Sequence, residues 1–273
     1  MKKSLLSLIS TLLLFSLFSA SASAAEAKPQ YLEEIQSIQD RLLKNLEDAH
    51  VSDTKETNQV INSFFQKNPV DKKLITDYFV NTKQKTVLPE TKNVSNNDFK
   101  SYLKANVESG NFKEYTISDN VKITFTNSPF FVVETVTEDN PVINSSSVSP
   151  DVKTAAASKA TPTRTYTLDV KGIFGNTLFS ISVEGYFTYN GTAVNPHLVD
   201  AWYNKGNFSI WQVSNWEEGK TYEITGKARI YGRGNFHFGI EIAGYGLTVQ
   251  DVYYNVFQEG DKDGGVLWDK VVK

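Results

Sequence analysis

The chain has 273 residues, a formal net charge of −3 and no cysteine. It therefore has no disulfide and no thiol nucleophile, and it lacks the strongly basic field that draws nucleic acid. After residue 24 no run of about 18 apolar residues occurs, so no membrane-spanning helix is predicted there.

The N-terminus reads Met1-Lys2-Lys3, an apolar run from Leu5 to Phe18, then Ala20-Ser21-Ala22-Ser23-Ala24-Ala25. A basic head, a short apolar core and small residues before an Ala-x-Ala site predict a cleavable secretory signal over 1–24. Cleavage is expected after Ala24, with Ala22, Ala25 and Ala27 as nearby alternatives. The competing reading is an N-terminal anchor, against which stand Ser7, Ser10 and Thr11 inside the run. No cysteine follows that could carry a lipid, so a secreted, extracellular product is expected. Export without cysteine points to a Gram-positive bacterial source.

Residues 25–138 are expected to form a helical, then short-stranded, α+β domain. Leu32, Ile35, Gln39, Leu42 or Leu43, and Leu46 fall three and four apart, which predicts a helix over 31–49. Asp53-Thr54-Lys55-Glu56 reads as a capping box opening a second helix with Val60, Ile61, Phe64 and Phe65, ended before Pro69. A third helix is predicted over Lys72–Val80, and a fourth from Asn97-Asp98 to Gly110. From 112 to 137 the apolar period changes to two. Tyr115 and Ile117, then Val121, Ile123 and Phe125, then Phe131, Val133 and Thr135 alternate with polar neighbours, separated by Asp119-Asn120 and Asn127-Ser128-Pro129.

Residues 139–163 are rich in Ser, Ala, Thr and Pro and poor in large apolar side chains. Such a segment cannot bury enough surface to offset its ordering entropy, so a disordered linker is predicted. It serves either as a tether or as a processing site between two parts. Residues 164–273 read as short strands and turns, which predicts an antiparallel β-sandwich. Asn190-Gly191 is the strongest two-residue hairpin signal, and Gly232-Arg233-Gly234 and Gly244-Tyr245-Gly246 read as turns. Gly172, Gly185, Gly226 and Gly239 are expected at bulges or close sheet contacts.

Catalytic patterns are sparse, and no catalytic residue, metal ligand or cofactor is expected. The three histidines, His50, His197 and His237, have no metal-ligand spacing. No Gly-x-Ser-x-Gly elbow, phosphate loop or dinucleotide fingerprint occurs. Glu217-Glu218 are adjacent and read as a solvated turn rather than a glycosidase pair. Glu259 to Gly265 contains an Asp-Lys-Asp-Gly fragment without the remaining calcium-loop ligands. The aromatics are richer: Trp202, Tyr203, Trp211 and Trp216 fall within fifteen positions, near Tyr186, Tyr189 and Tyr222. They form either a core cluster or an exposed platform, with Trp202, Tyr203 and Trp216 the candidates for binding sugar rings or a membrane interface. The twelve uncharged residues from Gly172 to Val183 suit either an inserting hairpin or a buried strand.

The run Leu178-Phe179-Ser180-Ile181-Ser182-Val183-Glu184-Gly185-Tyr186-Phe187-Thr188-Tyr189-Asn190-Gly191, followed by Trp202 and Trp211, resembles a module of exported Bacillus-type proteins. The order of signal, helical part, Tyr115-Thr116-Ile117-Ser118-Asp119-Asn120 before a strand, seam and β module is similar to large geobacillin-type antibacterial proteins. That resemblance implies a secreted, non-enzymatic, bacteriocin-like protein acting at the envelope or membrane surface of related bacteria. The alternative from the residues is a non-catalytic carbohydrate- or cell-wall-binding protein.

Overall fold

The structure is a computed structural model that describes residues 29–82, 112–139, 158–206, 210–223, 226–242 and 246–272, and among these residues three amphipathic helices come first. Helix α1 (Gln30–Ala49) buries Ile35, Ile38, Gln39, Leu42 and Leu46, the stripe its spacing predicts. It stops at His50, whose φ of 51° turns the chain out of the helix. Asp53 caps α2 (Thr54–Lys67) by accepting from the Glu56 amide at 2.8 Å. Glu56 reaches back to Ser52 N at 3.0 Å, one residue earlier than a capping box requires. Helix α3 (Lys72–Thr82) adds Leu74 and Tyr78 to the same apolar cluster. The predicted signal over 1–24, the predicted fourth helix over 97–110 and residues 140–157 of the predicted linker lie outside the described residues.

The strands are β1 (Phe112–Ser118), β2 (Val121–Thr126), β3 (Phe130–Asp139), β4 (Lys159–Ala160), β5 (Thr163–Gly172), β6 (Thr177–Tyr189), β7 (Val194–Lys205), β8 (Ile210–Glu223), β9 (Lys227–Ile242), β10 (Gly246–Asp261) and β11 (Val266–Val272). They make two sheets in which every described pairing is antiparallel. The first runs β1-β2-β3-β5-β6, with β4 and β7 also paired to β6; the second runs β11-β10-β9-β8. Val121, Ile123, Phe125, Phe131 and Val133, the alternation expected from sequence, join the helix residues in one core. The opposite face of the first sheet shares a second core with the second sheet, in which Phe179 of β6 stacks on Phe236 of β9 at 4.9 Å. Leu178, Phe179, Ile181 and Val183 are buried there, so Gly172–Val183 contributes a buried strand and not an exposed hairpin.

Several expected turns are strand interiors. Gly232-Arg233-Gly234 lies within β9, and Glu217 to Lys220 lies within β8, paired with Arg233 to Ile230. The glycines there serve packing: a Cβ on Gly232 would meet Trp216 at 2.8 Å. The Asn190-Gly191 hairpin exists, but its loop spans the four residues 190–193, since Tyr189 pairs with Val194. Asn190 Oδ1 closes it by accepting from the amides of Thr192 and Ala193 at 3.0 and 2.8 Å.

Two ionic groups are buried inside these layers. Between the sheets, the Glu134 carboxylate accepts from the Lys270 ammonium and, at 2.5 Å, from Tyr166 Oη. Glu134 is 1 % and the Lys270 side chain 8 % exposed, so the pair has lost its water. Burial alone would lower the Lys270 ammonium, but Glu134 and Glu114 outweigh it and hold it above the ordinary lysine value. Removing one partner of such a pair costs about 3–5 kcal/mol. On the helix side, Lys171 donates to Thr177 Oγ1 at 2.8 Å and lies 3.6 Å from Asp169. Burial pushes Asp169 up and Lys171 down.

The first sheet runs across the expected domain boundary. Strands β3 and β5, on either side of residues 140–157, pair over ten rungs from Phe130↔Gly172 to Asp139↔Thr163. Phe130, Val132 and Val136 belong to the core shared with the second sheet, and Ile173 belongs to the helix-side core. Residues Tyr31–Lys273 thus form one compact unit rather than two tethered domains. A single cut between 140 and 157 is expected to leave both fragments co-eluting on gel filtration in native buffer. They should separate only in denaturant; separation in native buffer would contradict this pairing.

Candidate functional site

The β6–β7 hairpin decides which aromatic residues face solvent. Close to its loop, Tyr186 pairs with His197 and Phe187 with Pro196. A bulge at Glu184/Gly185 then shifts the register by one, so that Glu184 faces Asp200, Val183 faces Ala201, Ser182 faces Trp202 and Ile181 faces Tyr203. Gly185 makes the bulge possible: a Cβ there would lie 2.3 Å from the His197 carbonyl oxygen and 2.5 Å from Ile230 Cδ1. Alternation along the strands sends Ile181, Val183, Ala201 and Tyr203 toward the second sheet. Ser182, Glu184, Tyr186, His197, Asp200 and Trp202 take the other face.

That outer face carries the candidate site. The rings of Tyr186 and His197 stack at 4.5 Å with planes 6° apart. Thr188 Oγ1 and His197 Nε2 lie 3.0 Å apart, which holds the imidazole in place. Burial, with a contribution from Lys220, lowers the His197 pKa below its ordinary value. Trp202 is half-buried on the same face, four β6 positions from the stack by its pairing with Ser182, or about 13 Å at the ordinary strand rise. Between them Glu184 and Asp200 sit directly across the ladder from each other, half-buried and exposed respectively. Like charges placed so destabilise a sheet. Among the described residues no ion pair relieves either carboxylate. A row of aromatic, acidic and hydroxyl groups on one sheet face suits a polyhydroxylated ligand.

The three aromatic residues expected to form a platform are divided. Tyr203 and Trp216 meet edge to face at 4.9 Å, and both lie against Phe236, packed on the inter-sheet core. A bulge in β8, with Asn215 at φ 54°, turns Trp216 inward, and its indole crosses Gly232 and Gly234. These two residues follow the core-cluster alternative. Trp202 alone of the three takes the outer face. The side chains of Trp211 and His237 lie outside the described residues. In the sequence Tyr186 only flanks the tryptophan cluster, and Glu184, His197 and Asp200 carry no motif that singles them out.

The other carboxylates considered have structural partners. Glu217 accepts a two-pronged contact from Arg233 and a 2.8 Å bond from Tyr231 Oη. Glu259, 4 % exposed, is held by Lys227 and Arg229. Asp261 Oδ1 accepts from the amides of Asp263 and Gly265, which closes the β10–β11 turn. Among the described residues no group of three His, Asp or Glu side chains could hold a metal ion.

Trp216→Ala is expected to lower unfolding free energy by about 3 kcal/mol, since it empties a slot between the sheets. Trp202→Ala should cost about 1 kcal/mol or less. Urea melts of both variants check the assignment, and comparable losses would contradict it. No protein-family model, curated protein or solved structure matches this chain.

Proposed function

We propose that this is an exported, non-enzymatic protein that binds glycan of the bacterial cell envelope through the outer face of its first sheet. The observation that carries the reading is Trp202 and the Tyr186–His197 stack on one face, flanking the carboxylates Glu184 and Asp200, which form no ion pair among the described residues. Ring faces accept the apolar C–H side of a sugar, while carboxylates accept hydrogen bonds from its hydroxyls. The signal-like N-terminus supports placement outside the cell. We further assign the β part to the sandwich class, supported by the core the two sheets share. In the antibacterial reading, which the resemblance to geobacillin-type proteins supports, the same face engages related cells before inhibiting them.

Purified protein is incubated with insoluble peptidoglycan sacculi from related Gram-positive bacteria, and the pelleted fraction is measured. Saturable binding is expected, about tenfold weaker for Trp202→Ala and for Tyr186→Ala, equivalent to about 1.4 kcal/mol each. Thermal unfolding of both variants should stay within a few degrees of the parent. Absent binding, or unchanged binding in both variants, would refute the proposed face. Release of reducing ends, lost in Glu184→Gln, would make the carboxylates catalytic instead. Viability counts on intact cells separate binding alone from killing.

A further inference from the structure

The buried Glu134–Lys270 contact joins the middle of the first sheet to the last strand of the second. Its partners are 136 positions apart in the chain. As a plain ion pair it adds little: desolvation offsets most of the attraction, and apolar side chains of similar volume would serve stability as well. The geometry is, however, that of an amine and a carboxyl held in contact and shielded from water. Tyr166 Oη donates to the carboxylate oxygen that Lys270 does not touch, and Glu114 Oε2 lies 3.6 Å from Lys270 Nζ. Glu114 is exposed, so it connects the buried pair to solvent. The Tyr254 hydroxyl, buried without a hydrogen-bond partner among the described residues, lies close enough for the Glu134 charge to add to the burial that raises its pKa.

We infer that Glu134 and Lys270 condense to an amide, an internal cross-link between β3 and β11. The step needs no oxidant or cofactor. An ammonium proton passes from Lys270 Nζ to the Glu134 carboxylate, which leaves a neutral amine against a neutral acid, the minor form of the pair and the one from which the bond can form. The nitrogen lone pair attacks Glu134 Cδ, forming the C–N bond, while Tyr166 Oη stabilises the oxygen that gains charge. A second proton leaves the nitrogen through Glu114 and reaches the departing hydroxyl, the C–O bond breaks, and one water is released. Proximity supplies the drive, since the two groups are held together by the fold. In a chain without cysteine the amide takes the place of a disulfide in tying distant strands.

The test is mass spectrometry of the purified, fully denatured protein, with peptide mapping. Expected is a predominant species one water lighter than its sequence, with a branched peptide joining the Glu134 and Lys270 segments. Lys270→Arg, which keeps the charge but cannot form the amide, should show its full sequence mass. Glu114→Gln should reduce the cross-linked fraction several-fold; an unchanged fraction would remove Glu114 from the step. Separate, unmodified Glu134 and Lys270 peptides in the parent protein would overturn the inference, as would a water loss mapped elsewhere.

Discussion

The burial of β3 on both faces is the constraint on which the rest of this protein depends. Phe131 and Val133 face the helices, while Phe130, Val132 and Val136 face the second sheet. A strand in that position contributes side chains to both cores. The same position explains why a carboxylate at Glu134 is so exposed to consequence. Placed on the inner face of a central strand it has no access to water, and it must find Lys270 and Tyr166 across the gap. The layers on either side are thus coupled through one ten-residue element.

The candidate binding face is what this layering leaves over. The helices pack on β2 and β3, and the second sheet covers the inner side of β5 to β7. The outer side of β6 and β7 therefore retains half-buried and exposed polar residues with Trp202 and Tyr186 among them. Rigid strands hold those groups in place, which is the condition for a binding surface that loses little entropy on engagement.

Much of the local structure was legible from residue spacing. The helix stripes, the Asp53 cap and the alternation from Val121 to Val133 follow directly from periods of 3.6 and 2, because each period maps onto one buried face. Glycine misled where it served packing. Gly232 and Gly234 look like a turn in the sequence, yet they sit in the middle of a sixteen-residue strand to admit the Trp216 indole. The expected domain boundary also misled, since composition does not encode that the strands on either side of 140–157 pair with each other.

The site shows the limit most clearly. A two-residue loop at Asn190-Gly191 would have placed Trp202 opposite Phe179, on the core side. The four-residue loop and the bulge at Gly185 together move the register by three, an odd number, and so exchange the faces of Trp202 and Tyr203. By itself the sequence determined the three described helices, the strand-rich C-terminal half and the absence of disulfides, because these depend on nearest neighbours and composition. Only the tertiary structure decided which aromatics are core, that the two halves share a sheet, and that Glu134 meets Lys270. Each of those rests on register and on contacts between residues far apart in the chain, which local periodicity does not encode.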